Sequence, residues 1–136
     1  MIIEKLMSKN VVTVEMDDSL KEVKNIFDNT DFHHLLVVES KRLVGVISDR
    51  DLLKSLSPNI GTVAETAKDY AALNKRAHQI MSRKIVTLRA NSSIYEAIDV
   101  FNKNKLSCIP IIDNDNQPVG IISWRDILML LQQKNL

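Results

Sequence analysis

The stretch VGVISDRDLL at residues 44–53 returns as VGIISWRDIL at residues 119–128, with glycine, serine, arginine and aspartate at the same places in both copies. The match extends toward the N-terminus, where Met7-Ser8 returns as Met81-Ser82, 74 residues later. Self-similarity at a fixed period is typical of repeat architectures. The sequence therefore predicts two copies of one structural unit.

The spacing between the two copies changes once along the chain. It is 74 residues at the Met-Ser pair and 75 residues at the glycines Gly45 and Gly120. One residue has therefore been added in the second copy, and we place it in the lengthened polar turn at residues 113–118.

Length and composition indicate one core shared by both copies. The chain has 136 residues, of which 45% are hydrophobic, and single domains most often have this length. A domain of half the length would bury a smaller fraction of its surface. We therefore predict a single module over residues 1–136, in which repeat 1 (1–57) and repeat 2 (76–136) pack on each other and a linker with a helix (58–75) joins them.

Charge, cysteine content and apolar runs exclude several classes of protein. Lys and Arg number 18 against 17 Asp and Glu, without a run of like charges, which argues against nucleic-acid binding. Cys108 is the only cysteine, as expected in a reducing compartment. Apolar runs are too short for a signal peptide or a membrane span. We predict a soluble, cytoplasmic protein without a membrane partner.

Each repeat shows the pattern strand, helix, strand, strand, helix. In repeat 1 a β-branched run at 11–14 precedes Ser19-Leu20-Lys21-Glu22, which has the form of a helix capping box. The continuous apolar run at 35–38 predicts a buried strand, and a short turn leads to the returning strand at 43–47. The predicted fold class is α/β (α+β), with two pseudo-symmetric β-α-β-β-α repeats whose small mixed sheets are covered by helices. Residues 64–80 also have a helix-forming composition.

The repeated Ser-x-x-Asp lies where a strand ends and a helix begins, at Ser48 and Asp51 and again at Ser123 and Asp126. One interpretation is a capping box that stabilises the helix by about 1 kcal/mol and needs no ligand. The other is a binding site. Helix N-termini favour anions, and an ionised Asp can accept hydrogen bonds from both hydroxyls of a ribose.

The repeat resembles the cystathionine β-synthase (CBS) domain, and two copies in one chain resemble a Bateman module. The marks are Met-Ser before a short strand, His33-His34 or Cys108-Ile109-Pro110 at the second strand, and Gly-apolar-apolar-Ser-x-x-Asp in both copies. The stretch 33–38, with 48–52 and Ser57-Pro58, is also similar to the N-terminal part of acetoin-utilisation-type CBS proteins.

The resemblance implies clefts between the repeats that bind an adenosine compound (AMP, ADP, ATP or S-adenosylmethionine) as a regulatory ligand, with no required cofactor. In each cleft the Asp would hold ribose hydroxyls, the Ser a ribose or phosphate oxygen, and the apolar residues the adenine. One cleft would use Ser123 and Asp126 with Val11, Val12, Thr13, His33 and His34. The other would use Ser48 and Asp51 with Ile85, Val86, Thr87, Ser107 and Cys108.

The two clefts are expected to differ in charge. His33 and His34 would place hydrogen-bond donors beside Asp126, which favours a phosphorylated ligand in that cleft. Asp49 would add negative charge near Asp51, which favours an uncharged or singly charged adenosine compound in the other. Trp124, which replaces Asp49 in repeat 2, either stacks on a base or packs against the protein.

Other candidate sites are weaker. Adjacent strand residues such as His33 and His34 point to opposite faces, so a metal site with His78 is not expected. Cys108 lies in an apolar run without the partners of a nucleophile, which indicates core packing. The segment 113–115 begins like a calcium loop but lacks the later glycine and glutamate, which indicates a hairpin turn.

The predicted function is that of a non-enzymatic sensor. Ligand binding would shift the placement of the two repeats and signal to a second copy, in a homodimer, or to an unidentified regulated protein. The apolar tail at 127–131 is either a dimerisation face or part of the core. The alternative is a ligand-free structural module for dimerisation, in which both Ser-x-x-Asp elements serve only as caps.

Overall fold

The computed structural model describes residues 1–134. Over this range it contains five strands, six α-helices and two short 3₁₀ helices. Within it, no helix is long and apolar enough to cross a membrane. The elements are β1 (Thr13–Glu15), α1 (Leu20–Asp28), β2 (His34–Glu39), β3 (Arg42–Ser48), α2 (Asp49–Ser55), α3 (Ala67–Ala71), α4 (Ala77–Ile80), α5 (Ile94–Lys103), β4 (Cys108–Ile112), β5 (Pro118–Ser123) and α6 (Trp124–Gln133), with 3₁₀ helices at Ile3–Lys5 and Ala72–Asn74.

The chain forms two compact units that do not coincide with the two sequence repeats. The first-repeat unit comprises residues 12–40 and 44–84, and the second-repeat unit comprises 1–11, 41–43 and 85–136. The first eleven residues of repeat 1 thus belong to the second-repeat unit, and the first nine residues of repeat 2 belong to the first-repeat unit. The two repeats have exchanged their leading segments.

Matching backbone bridges hold the exchanged segments. Within the second-repeat unit, Ser8 and Ile121 exchange N–H···O bonds of 2.9 and 3.0 Å. Within the first-repeat unit, Ser82 and Val46 exchange N–H···O bonds of 2.8 and 3.1 Å. In each unit, the Met-Ser segment of one repeat is therefore hydrogen-bonded to the Gly-apolar-apolar-Ser strand of the other repeat. The sequence analysis did not predict this interaction.

Glycine is required in β3 and β5 because a methionine of the exchanged segment lies against each of these strands. A Cβ atom built on Gly45 would overlap the side chain of Met81. A Cβ atom on Gly120 would lie 2.5 Å from Met7 Sδ and 3.0 Å from the carbonyl oxygen of Ser8. Only at Gly120 is a backbone atom among the close neighbours, and backbone cannot rotate away as a methionine side chain can.

We therefore expect Gly120→Ala to destabilise the protein more than Gly45→Ala. Overpacking of this kind typically costs about 1–3 kcal/mol, and Gly120→Ala should lie at the upper end. Urea unfolding of the two variants measures the difference in free energy. An equal cost, or a larger cost for Gly45→Ala, would contradict the close approach of the Ser8 carbonyl.

The first-repeat unit contains a three-stranded sheet in the order β1-β2-β3. β1 runs parallel to β2, with Thr13 opposite Leu36, as the crossover helix α1 requires. Ser40 and Lys41 join β2 to β3 with φ angles of 50° and 67°, the geometry of a tight hairpin turn. The core of this unit consists of Val14, Leu20, Val23, Leu35, Val37, Ile47, Leu52, Ala77 and Met81.

The second-repeat unit lacks one predicted strand. Its first strand is reduced to a single parallel bridge between Leu88 and Ile111, and β4 and β5 form an antiparallel pair. In repeat 1 the N–H of Leu36 donates to the Val12 carbonyl at 3.3 Å. The residue that corresponds to Leu36 is Pro110, which has no N–H to donate. The predicted strand order is therefore confirmed in repeat 1 and wrong for the first strand of repeat 2.

The added residue of repeat 2 coincides with a register shift in the β4–β5 ladder. Ile111 lies opposite Gly120, whereas Ile112 lies opposite Pro118, so Val119 has no partner in the register. A β-bulge accommodates one extra residue in this way. The connection from β4 to β5 (113–117) is also longer than the two residues that join β2 to β3, in agreement with the insertion predicted in the polar turn.

The helix predicted over residues 64–80 is broken into α3, a 3₁₀ turn and α4. The Lys75 carbonyl accepts the N–H of Leu20, and the Ala77 N–H donates to the Asp18 carbonyl, each at 2.8 Å. These bonds hold residues 75 and 76 in extended conformations beside the beginning of α1. The linker therefore contains helix, as predicted, in short separate segments.

Candidate functional site

Both Ser-x-x-Asp elements form complete capping boxes. At the beginning of α2, the Asp51 N–H donates to Ser48 Oγ at 3.1 Å and the Ser48 N–H donates to Asp51 Oδ2 at 2.9 Å. At the beginning of α6, the corresponding distances between Ser123 and Asp126 are 3.3 and 2.7 Å. The interpretation of these residues as helix caps is confirmed in both repeats.

Capping does not use the full hydrogen-bonding capacity of these side chains. Each box engages Oδ2 of the aspartate, and an ionised carboxylate has about four acceptor positions on its two oxygens. The serine hydroxyl acts as acceptor in the box and retains a proton that it can donate. All four side chains are partly exposed. The cap and the ligand interpretations are therefore compatible. The capping hydrogen bonds fix the orientation of the serine and aspartate side chains that a ligand would contact.

A backbone hydrogen bond joins the beginning of the second strand to the beginning of the last helix in each repeat. In the first-repeat unit the Asp49 N–H donates to the His33 carbonyl at 3.0 Å, and in the second-repeat unit the Trp124 N–H donates to the Ser107 carbonyl at 3.4 Å. His33 thus lies beside the Ser48 capping box of its own repeat.

The side chains at these equivalent positions differ. His33 Nδ1 lies 2.9 Å from Asp49 Oδ2, so repeat 1 has a hydrogen-bonded histidine–aspartate pair where repeat 2 has Ser107 and Trp124. The sequence analysis predicted Asp49 as a negative charge near Asp51 and predicted His33 as a donor, but not their pairing. Sixteen residues separate the two in sequence, and only the strand arrangement brings them together.

The electrostatics of this junction modify the expectation that His33 and His34 are available as hydrogen-bond donors to a phosphate. Burial lowers the pKa of His34 below its usual 6.5, and the nearby Asp49 only partly offsets this effect. The hydrogen bond from His33 lowers the pKa of Asp49, which keeps that carboxylate ionised at neutral pH. His34 is therefore mainly neutral at pH 7, and His33 already has an anionic partner.

Each of the two predicted clefts uses residues from both compact units. Both clefts therefore stay predictions. Within the first-repeat unit, β1 pairs with β2 next to the His33–Asp49 pair. The first-repeat unit contains Val12, Thr13, His33, His34, Ser48 and Asp51, and the second-repeat unit contains Val11, Ile85, Val86, Thr87, Ser107, Cys108, Ser123 and Asp126.

The secondary expectations can also be compared with the structure. Cys108 is buried, and burial raises the pKa of its thiol to about 12, in agreement with core packing. Trp124 is 51% exposed, so it does not pack in the core. The carboxylate of Asp113 accepts the N–H groups of Asp115 and Gln117 at 2.9 Å, which confirms the hairpin turn. No cluster of three or more potential metal ligands occurs within residues 1–134.

The apolar tail at 127–131 contains both buried and exposed residues. Ile127 is buried in the core of the second-repeat unit, together with Ile109 and Ile122. Leu128 and Met129 are about half exposed. The interpretation as part of the core is therefore confirmed for Ile127, and the dimerisation face stays a prediction for the exposed residues.

Known structures with the same fold include several CBS domain pairs. The CBS domain pair of protein MJ0100, crystallised with 5′-methylthioadenosine and S-adenosyl-L-methionine, matches with a TM-score of 0.81 and 24% identity over 98% of each chain. The cytosolic domain of the Mg²⁺ channel MgtE in complex with ATP matches with a TM-score of 0.71 and 26% identity over 93% of this chain and 47% of that one. An acetoin utilisation protein from Vibrio cholerae matches with a TM-score of 0.78, 22% identity and coverage of 98% and 96%, which shows a common fold.

Several curated relatives are longer proteins. Inosine-5′-monophosphate dehydrogenase from Methanocaldococcus jannaschii is 28% identical over 126 residues, which are 92% of this chain and 22% of the relative. Across the first three such relatives, the chain spans between about a fifth and a half of their length. The family model for the CBS domain matches residues 3–58 and 77–133. The chain therefore belongs to the CBS domain family and contains two copies of that domain.

Proposed function

We propose that this protein is a regulatory module that binds an adenosine compound such as AMP, ADP, ATP or S-adenosylmethionine. The observation that carries the proposal is the same Ser-Asp pair, in the same capping geometry, at the beginning of α2 and of α6. Each pair presents a carboxylate with spare acceptor capacity at a helix N-terminus, where a ribose diol and a phosphate can both be bound. Two proteins of the same fold were crystallised with adenosine compounds, which supports this ligand class.

The proposed roles follow from the chemistry of each side chain. Asp51 and Asp126 accept hydrogen bonds from ribose hydroxyls, and Ser48 and Ser123 donate to a ribose or phosphate oxygen. The apolar segments at 11–13 and 85–87 contribute the surface on which adenine packs. The two proposed sites are those named above, with Ser123 and Asp126 grouped with His33 and His34, and Ser48 and Asp51 with Ser107 and Cys108.

The protein is proposed to act without catalysis. The inosine-5′-monophosphate dehydrogenase described above is several times longer, and this chain corresponds to about a fifth of it. The one thiol is buried and its pKa is raised to about 12, which makes it a poor nucleophile. The regulated process then resides in a partner or in a homodimer, to which the exposed residues Leu128 and Met129 of α6 could contribute.

A second candidate function is a structural dimerisation module without a ligand. The complete capping boxes favour it, because they explain both Ser-Asp pairs by helix stability alone. Ligand binding distinguishes the two functions directly.

The test compares AMP with its 2′-deoxy and 3′-deoxy analogues in equilibrium binding to the full chain. If the site hydrogen-bonds the diol, removing one ribose hydroxyl leaves an acceptor position of the carboxylate unsatisfied. We expect each deoxy analogue to bind about tenfold more weakly than AMP, since hydrogen bonds to charged groups contribute roughly 1.5–3 kcal/mol. Equal affinity for all three compounds would contradict the role of the aspartates.

A further inference from the structure

We infer that Asp49 determines the charge preference of the proposed site that contains His33. This inference rests on the proposed function and adds to it a residue outside the sets named above. In the wild-type protein, Asp49 disfavours additional phosphate groups on a ligand that reaches His33.

The geometry places Asp49 directly at that imidazole. Oδ2 of Asp49 lies 2.9 Å from His33 Nδ1, and the Asp49 N–H donates to the His33 carbonyl at 3.0 Å. Two links thus hold the pair, one through the side chains and one through the backbone. The side chains remain 71% and 42% exposed, so a ligand can approach the Nε2 edge of the ring.

The charge of the pair explains the preference. It carries one negative charge when the imidazole is neutral and none when it is protonated. With Asn at position 49, the pair would carry no charge when the imidazole is neutral and one positive charge when it is protonated. The variant pair is therefore at least as favourable for an anion in every protonation state. The neighbouring groups that contribute charge are His34, Asp51 and Arg50, and Asn at position 49 leaves all of them in place.

Repeat 2 provides an internal contrast. Its equivalent positions, Ser107 and Trp124, form the same backbone link but carry no charge. The discrimination against phosphate that we assign to Asp49 therefore has no counterpart at the equivalent positions of repeat 2. This is a structural origin for unequal ligand preferences in two sites built from the same repeat.

The test measures the affinity of the full chain for 5′-methylthioadenosine, AMP and ATP at pH 8, where AMP and ATP carry about two and about four negative charges. Asp49→Asn is compared with Asp28→Asn, which removes the same charge from another exposed ion pair of the same unit, that of Asp28 with Lys24 at 2.5 Å.

We expect Asp49→Asn to raise the affinity for ATP relative to 5′-methylthioadenosine by about tenfold, and for AMP by about threefold, because each ligand charge adds a screened repulsion at this distance. Asp28→Asn should change this ratio by less than about twofold.

Two results overturn the inference, and they are distinguishable. If the ligands bind but Asp49→Asn leaves the ratio unchanged, or Asp28→Asn changes it equally, Asp49 has no role in specificity and the proposed function stands. If none of the three compounds binds the wild-type chain, the proposed function and the inference both fail.

Discussion

A fragment of residues 1–58, which contains the first family match, should not fold cooperatively, whereas a fragment of residues 12–84 should. The shorter fragment lacks Ala77 and Met81, two buried members of the core of the first-repeat unit. It also retains residues 1–11, which belong to the other unit. Small units bury little surface and have little stability to lose, so two missing core side chains are expected to abolish folding.

Urea unfolding followed by far-UV circular dichroism measures this difference. The fragment 12–84 should show a sigmoidal transition and 1–58 a featureless slope. Fragment 1–84 is the control, because it contains both the complete core and the additional N-terminal residues. A transition for 1–58 as steep as that for 12–84 would show that repeat 1 contains its own complete core, contrary to the exchange of segments.

Asp126→Ala and Asp51→Ala should each weaken binding at one proposed site by about a hundredfold, since each change removes a charged acceptor from two ribose hydroxyls. Both changes also remove a helix cap and should cost about 1 kcal/mol of stability. Asp69→Ala is the matched control. Asp69 forms the same capping box with Thr66 at α3, with hydrogen bonds of 3.0 and 3.2 Å, and is outside both proposed sites.

Calorimetric titration and urea unfolding of the three variants separate binding from stability. We expect all three to lose similar stability and only Asp126→Ala and Asp51→Ala to lose affinity. If the affinity of Asp69→Ala falls as far as that of the other two, or if neither of those two loses affinity, the boxes serve the helices alone and the dimerisation module is favoured.

Local sequence signals predicted most of the fold. The capping residues Ser19, Ser48, Ser93 and Ser123 each accept a backbone N–H at a helix beginning, because such caps depend only on neighbouring residues. The first strand of repeat 2 was predicted wrongly, although the reason is in the sequence. Pro110 removes the donor that its counterpart Leu36 provides, and this effect becomes visible only once the strand register is known.

The exchange of leading segments could not be predicted from the repeat pattern. Ser8 and Ser82 form isolated bridges with strands of the opposite repeat, and a single bridge leaves no periodic pattern of apolar residues. The exchange depends on the path of the chain at 11–12 and 84–85, where it passes from one unit to the other, and composition does not specify this path. The repeated glycines were a usable signal, because a glycine within a strand often marks the close approach of another backbone.

The candidate site was predictable in its parts but not in its pairings. Ser-x-x-Asp was recognisable because it recurs in both repeats at equal spacing. The His33–Asp49 pair depends on a tertiary contact between the beginning of β2 and the beginning of α2. Burial of His34, which lowers its pKa, is likewise a property of packing and not of sequence.

Isothermal titration calorimetry of the full chain with AMP, ATP and S-adenosylmethionine tests the central claim most directly. The account predicts saturable heat with at least one of these compounds, at one or two ligands per chain, together with a rise in the unfolding temperature, because a ligand that binds only the folded state stabilises it. The absence of both heat and thermal stabilisation with all three compounds would contradict the proposal that this CBS pair senses adenosine compounds.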